Sequence, residues 1–84
     1  MYLHIGKDVI IKNDTIIGIF DLEYIKNTQE YKKMYDELKE KRNIINIADD
    51  SKKTFILVEE NGVRKGYITN ISSNTIGKRK NIIF

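Results

Sequence analysis

The stretch YLHIGKDVIIKNDTIIGIFDLE, residues 2–23, decides the fold. It contains three short apolar runs, residues 2–5, 9–11 and 16–20, and each run ends at glycine, asparagine or aspartate, the residue types that tolerate turns. Isoleucine and valine dominate the second and third runs. Because β-branched side chains lose rotamer freedom in a helix and pack well on a pleated surface, the stretch predicts three strands that form the nucleus of a mainly antiparallel sheet.

One amphipathic helix follows these strands. Tyr31, Met34, Tyr35 and Leu38 are spaced at i, i+3, i+4 and i+7, which places them on one face, while charged residues occupy the positions between them. The spacing predicts a helix that packs on the sheet through this apolar stripe.

The ends of that helix have their own signals. Asn27 is a good N-cap residue, and Glu30, three positions later, could return the bond in a capping box. Lys41 and Arg42 suit the negative end of the helix dipole, so we expect the helix to end near Arg42. Asn43 is then predicted to take the left-handed conformation that turns the chain away.

The second half of the chain predicts a hairpin and a last short helix. Residues 43–47 fit either a short strand or an extended crossing, and residues 49–53 fit a polar turn. Residues 54–58 read as a strand, Asn61-Gly62 is a strong signal for a tight hairpin turn, and residues 63–70 supply the partner strand. Ser72 or Ser73 can cap a helix that runs to residue 79, and residues 82–84 form an apolar end.

These elements predict an α+β fold: a small, mainly antiparallel sheet, one central helix packed on it and a short C-terminal helix, in a single domain of residues 1–84. A domain of this size buries only about 60 to 65% of its unfolded surface. The chain has no cysteine for a disulfide and one histidine, so no Cys/His cluster could hold structural zinc. Self-association is the remaining common way to stabilise such a domain, and we expect a homo-oligomer.

Charge is distributed unevenly along the chain. The net charge is +3, but the last 24 residues carry five Lys/Arg and no Asp/Glu. This excess favours an acidic partner such as nucleic acid or a membrane surface, and a merely solvated basic end is an equally good interpretation. No apolar run approaches the 18 to 20 residues of a membrane helix, and no secretory signal is apparent. We expect a cytoplasmic protein without a membrane partner.

Catalysis is not expected from these residues. There is no cysteine, and the one histidine, His4, lies on a predicted strand, where a structural role is far more common than a catalytic one. Asp49-Asp50 lacks the alternating-oxygen spacing of a calcium loop. The sequence therefore predicts no enzyme, no metal, no cofactor and no small-molecule substrate.

Three segments together resemble a known family. They are Tyr-Leu-His-Ile-Gly with Ile-Ile-Gly-Ile-Phe-Asp near the start, the segment 53–58, and the segment 67–79. In these the chain resembles the bacterial extracellular matrix regulators, the RemA/RemB family, and more closely its RemB-like branch, from residue 1 to about residue 79. The resemblance implies a DNA-binding transcriptional regulator of matrix and biofilm genes that assembles into a homo-oligomeric ring and contacts double-stranded DNA through basic side chains from several subunits.

The resemblance also implies which residues contact DNA. Lys52-Lys53-Thr54 stands where the DNA-binding branch has Arg-Arg-Thr, so Lys52 and Lys53 inherit that contact; lysine neutralises a phosphate but lacks the fork that reads guanine. The other implied basic residues are Lys78 and Arg79.

One position departs from the family. An arginine that the family places between the second and third strands is replaced here by Asp14-Thr15. Either Lys12 has taken over that contact, or DNA binding is weak, different or absent. The alternative function is therefore an oligomeric scaffold or partner-binding module without DNA affinity.

Overall fold

The computed structural model describes residues 1–79, and within them the chain forms six strands and three α-helices. The strands are β1 (Tyr2–Gly6), β2 (Val9–Lys12), β3 (Ile16–Asp21), β4 (Ile44–Asn46), β5 (Thr54–Glu60) and β6 (Val63–Thr69). The helices are α1 (Leu22–Ile25), α2 (Gln29–Glu40) and α3 (Ser73–Arg79). The α+β class is therefore confirmed, with a central helix and a short C-terminal helix. The apolar end predicted at residues 82–84 lies outside the described residues.

The strands belong to two sheets and not to one. β1 and β2 form an antiparallel hairpin, whereas the other strands form a four-stranded sheet in the order β3-β5-β6-β4. All its pairs are antiparallel except β4 with β6. The prediction that the first three strands form one sheet nucleus is wrong. A 3-10 turn at Asn13–Thr15 separates β3 from the hairpin, and β3 pairs along β5.

The four-stranded sheet is covered on both faces. β5 places Ile56 and Val58 in a core cluster with the β1–β2 hairpin and with Ile76 of α3. It places Phe55 and Leu57 in a second cluster with α1 and α2. This alternation follows from the period of two along a strand, and it makes β5 the strand that both layers share.

The apolar stripe of α2 is confirmed. Leu38 is buried, and Tyr31, Met34 and Tyr35 are half-buried against the cluster that contains Phe55. The Tyr31 ring meets the Phe55 ring edge to face, with 5.3 Å between their centroids.

The predicted capping box at the start of α2 is wrong. Thr28, and not Asn27, is the N-cap, and its hydroxyl accepts from the N–H of Tyr31 at 3.2 Å. The same hydroxyl donates to the carbonyl of Ile25 at 2.8 Å. Because the unpredicted helix α1 ends at Ile25, Thr28 is the residue that can bridge the two helices.

The exit from α2 also differs from the prediction. α2 ends at Glu40, and Arg42, with φ of 60°, takes the left-handed conformation that was expected of Asn43. The N–H of Asn43 donates to the Leu38 carbonyl at 2.8 Å, and its own carbonyl accepts from Gly66 at 2.9 Å. Since Asn43 is already aligned with β6, the chain must reverse one residue earlier.

The predicted hairpin and the last helix are confirmed. Asn61 and Gly62 have φ of 55° and 77°, as a two-residue hairpin turn between Glu60 and Val63 requires. At the start of α3 the Ser72 hydroxyl accepts from the Thr75 N–H at 3.2 Å.

Candidate nucleic-acid interface

Lys52 and Lys53 lie in the segment that leads into β5, on a backbone held from both sides. The Lys53 N–H donates to the Thr69 carbonyl at 2.9 Å, and its carbonyl accepts from the Leu22 N–H at 2.9 Å. The next residue, Thr54, is fully buried, and its hydroxyl donates to the Ile71 carbonyl at 2.7 Å. The turn is therefore fixed to β6, α1 and the segment before α3, while both lysine side chains remain exposed.

The two lysines of this turn have no ion-pair partner within residues 1–79. The ion pairs of that part of the chain are Lys7–Asp49, Lys12–Glu60, Lys26–Glu23 and Arg64–Glu59. Neither Lys52 nor Lys53 takes part in any of them. Asp49, close to this turn in sequence, is paired with Lys7 at 2.9 Å. The turn thus presents two adjacent positive charges to solvent.

Lys12 lies in a different environment, at the end of β2. Its ammonium contacts the Glu60 carboxylate at 3.1 Å, and this hydrogen bond raises the Lys12 pKa above the ordinary 10.5. Glu60 is the last residue of β5, and Lys53 comes directly before its first residue. At roughly 3.3 Å per residue, the length of β5 therefore places Lys12 about 20 Å from Lys53. The structure does not bring Lys12 together with the Lys52-Lys53 turn in one subunit.

Lys78 and Arg79 lie in the last turn of α3. Arg79 donates from Nη1 to the His4 carbonyl at 3.3 Å, which ties α3 to β1. At the other end of this helix the Ser73 hydroxyl is 3.0 Å from that of Thr54. Because an α-helix rises about 1.5 Å per residue, Arg79 is roughly 9 Å along α3 from Ser73, which contacts the first residue of β5. Lys78 and Arg79 are therefore closer to the start of β5 than Lys12 is. Lys80, next to them in sequence, lies outside the described residues.

His4 has a local structural contact. Its ring donates from Nε2 to the carbonyl of Lys7, across the turn between β1 and β2. Lys7 itself has a positive φ of 47°, so this bond supports a conformation that non-glycine residues rarely adopt.

One basic residue near the turn was missed by sequence reasoning. Lys26, which follows α1, lines the same small pocket as Lys52, together with residues of α2 and β6. No local pattern links positions 26 and 52, because only the docking of α1 beside the start of β5 brings them together.

The structure is that of a small α+β protein that exposes two lysines on a turn with a fixed backbone. A model of the RemA-like family, described as extracellular matrix regulatory protein A-like, matches residues 2–79. The chain belongs to this family. The match does not distinguish the RemB-like branch, so closeness to that branch stays a prediction. A search of curated proteins found no match. Within residues 1–79 no helix is both long and apolar enough to cross a membrane.

Proposed function

We propose that this member of the matrix regulator family is a DNA-binding transcriptional regulator that acts as a homo-oligomer. The observation that carries the proposal is the Lys52-Lys53 turn. Its backbone is held at 2.9 Å to Thr69 and to Leu22, and neither ammonium has an ion-pair partner within residues 1–79. Two charges held in this way can replace the counterions of neighbouring DNA phosphates.

The contacts are to phosphate more than to bases. Lysine is a compact point charge, whereas bidentate reading of guanine is characteristic of arginine's planar fork. Lys78 and Arg79, at the end of α3, add positive charge on the side of the molecule nearer to this turn. The chain therefore binds DNA with high dependence on salt and modest dependence on sequence.

Assembly compensates for the small number of contacts per subunit. Linking several weak sites raises the overall affinity through effective concentration, without any new contact. An apolar surface for such assembly lies on the outer side of the β1–β2 hairpin, where Tyr2 is 62% exposed and Ile10 is 58% exposed. These side chains favour self-association, and a head-to-tail contact between subunits forms a ring when its rotation closes.

A second candidate function is an oligomeric scaffold without DNA affinity. Two observations favour it: the Lys12 ammonium is paired with Glu60, and Asp14 is exposed in the turn where the resemblance places an arginine. A carboxylate at that position repels phosphate. Neither candidate includes a catalytic step or a cofactor.

The deciding experiment compares two pairs of adjacent lysines. In the double variant Lys52→Ala/Lys53→Ala, the slope of log affinity for duplex DNA against log salt should flatten by about 2 per contacting subunit, since each phosphate contact contributes roughly 0.9. The matched control is Lys32→Ala/Lys33→Ala, an exposed pair on α2, which should leave the slope unchanged. Sedimentation of all three proteins should give the same oligomer.

Three results would each contradict one part of the proposal: the contact residues, DNA binding or the oligomer. A wild-type slope in the Lys52/Lys53 variant would move the DNA contact to Lys78 and Arg79. Absence of binding by the wild type at low salt would leave the scaffold function. A cooperatively folded 9.9 kDa monomer at micromolar concentration would refute the oligomer.

A further inference from the structure

An open groove of about 400 Å³ lies between β2 and the β5–β6 hairpin. Most of the side chains that line it are apolar or aromatic: Tyr2, Ile10, Ile11, Val58, Val63 and Tyr67. Three of them, Tyr2, Ile10 and Val63, are 62%, 58% and 47% exposed. The groove is therefore an apolar surface that residues 1–79 leave uncovered.

The charges at the groove do not select a charged occupant. They belong to Lys12, Glu60 and Lys65. Lys12 and Glu60 are paired with each other at 3.1 Å. An occupant would mainly bury apolar surface, so the groove fits an apolar segment better than it fits nucleic acid.

β2 also offers the groove a free backbone edge. Within residues 1–79, β2 pairs only with β1. The Asn13 N–H donates to the Met1 carbonyl at 3.0 Å. Because antiparallel pairs alternate along a hairpin, Ile10, three positions before Asn13, directs its own N–H and carbonyl away from β1. An extended segment can pair with such an edge while its side chains enter the groove.

The chain itself contains an apolar segment of this kind. Residues 80–84, Lys-Asn-Ile-Ile-Phe, lie outside the described residues and include three consecutive large apolar side chains. Isoleucine and phenylalanine favour extended strands. The segment follows Arg79, whose Nη1 donates to the His4 carbonyl on β1. Its starting point is therefore fixed beside the β1–β2 hairpin.

This starting point and the groove lie on opposite sides of the subunit. α3 contacts β3 and β1, whereas the groove is lined by β6, and β5 separates β3 from β6 in the sheet. To enter its own groove, the segment must cross both strands of the β1–β2 hairpin, about 10 Å at roughly 4.8 Å per strand. At roughly 3.3 Å per residue, this crossing uses about three residues of the segment. Residues 82–84 can then fill the groove of a neighbouring subunit, but not their own.

We infer that residues 82–84 of one subunit dock beside β2 in this groove of a second copy. The inference rests on the assembly in the proposed function and identifies a contact that carries it. Because the segment and the groove are different surfaces, the contact is head-to-tail.

Sedimentation of substituted full chains tests this contact. The tail variant, Ile82→Ser/Ile83→Ser/Phe84→Ser, should sediment as a monomer where the wild type is an oligomer, with an unchanged circular dichroism spectrum. An oligomer of wild-type size in the tail variant would overturn the inference and leave the proposed function standing. A monomeric wild type would overturn both the inference and the proposed assembly.

The groove is tested from its own side with a matched control. The groove variant, Ile10→Asp/Val63→Asp, should also be a folded monomer. Ile17→Asp is the control, since Ile17 is 50% exposed but does not line the groove, and it should leave the oligomer intact. Equal loss of the oligomer in Ile17→Asp would reduce the effect to any charge placed on an exposed apolar residue and contradict the inference.

Mixing the two monomeric variants separates docking between subunits from docking within one. The tail variant keeps an intact groove, and the groove variant keeps an intact segment. An equimolar mixture should therefore form a complex of two chains. Absence of this complex would overturn docking between subunits.

A peptide measures the same contact without assembly, and it decides the question if the groove variant fails to fold. The amidated peptide Lys-Asn-Ile-Ile-Phe, titrated into the tail variant, should cause saturable NMR shifts at the amides of Ile10, Val63, Lys65 and Tyr67. The control peptide Lys-Asn-Ser-Ser-Ser should cause none. Absence of saturable shifts, or shifts centred elsewhere, would overturn the groove as the docking site.

Discussion

Basic side chains lie near both ends of β5, but they differ in whether they form ion pairs. At its start, Lys52 and Lys53 have no ion pair within residues 1–79, and their backbone is held by Thr69 and Leu22. At its far end, Lys12 is paired with Glu60, and Arg64 is paired with Glu59 at 2.7 Å. A count of basic residues would treat these groups alike, but only those at the start of β5 are without an ion-pair partner within residues 1–79.

The largest effect is expected from truncating the buried side chain that packs α2 against β5. Leu38 of α2 packs in the same cluster as Phe55 and Leu57 of β5. Leu38→Ala should therefore lower the free energy of unfolding by about 2 to 5 kcal/mol, through lost burial and the cavity left behind. Urea denaturation measures this change, with Lys32→Ala on the exposed face of α2 as the control. An unchanged midpoint would show that α2 does not support β5.

A smaller effect is expected from the hydroxyl that anchors the start of β5. Thr54→Val removes the donor to the Ile71 carbonyl and should cost about 1 to 3 kcal/mol, because that carbonyl loses its partner inside the protein. Hydrogen exchange at the Lys53 amide should accelerate as the turn loosens.

Thr15→Val is the matched control at the other end of β5. Thr15 donates to the Lys12 carbonyl at 2.7 Å in an exposed setting, where water can replace it. Equal losses of stability in Thr54→Val and Thr15→Val would contradict the idea that hydrogen bonds fix the start of β5 more firmly than its far end.

The smallest effect concerns Lys12 and its pKa. In Glu60→Gln the Lys12 pKa should fall toward 10.5, because the carboxylate that raises it is gone. A raised lysine pKa stabilises the fold below the unfolded value of 10.5 and loses that contribution as pH rises through the folded value, so the variant should lack this alkaline loss. NMR titration of the Lys12 ammonium and unfolding at pH 9 to 12 test both points.

The Glu60→Gln variant also tests, through DNA binding, whether the ion pair of Lys12 is what distinguishes it from Lys52 and Lys53. If pairing with Glu60 is what keeps Lys12 from phosphate, Glu60→Gln should steepen the salt slope by about 0.9. An unchanged slope together with a lowered pKa would mean that Lys12 is excluded by its position, about 20 Å along β5, and not by its partner.

Local signals predicted the local structure well. The spacing of Tyr31, Met34, Tyr35 and Leu38 defined the buried face of α2, and Asn61-Gly62 defined the hairpin, because in both cases the signal lies within a few residues. The sheet assignment failed because β3 pairs with β5. That pairing depends on packing between segments more than thirty residues apart, for which the sequence carries no local pattern.

The candidate site divides in the same way. The lysine pair at positions 52 and 53 is visible in the sequence, and the family match covers it. The lack of an ion-pair partner for these lysines within residues 1–79 is not visible, and neither is the pairing of Lys12 with a glutamate 48 positions away. Lys26 lies near Lys52 only because of where α1 docks. Charges can be counted from sequence, but their partners are set by the fold.

Gly66 has a consequence for how this sequence can vary. It lies opposite Leu57 in β6, and a Cβ at this position would come within 2.4 Å of the Phe55 ring and 3.2 Å of Ile44. A larger residue at position 66 therefore requires a smaller one at position 55. Among relatives of this chain, the two positions should change together, and a homologue with alanine or valine at position 66 should lack an aromatic ring at position 55.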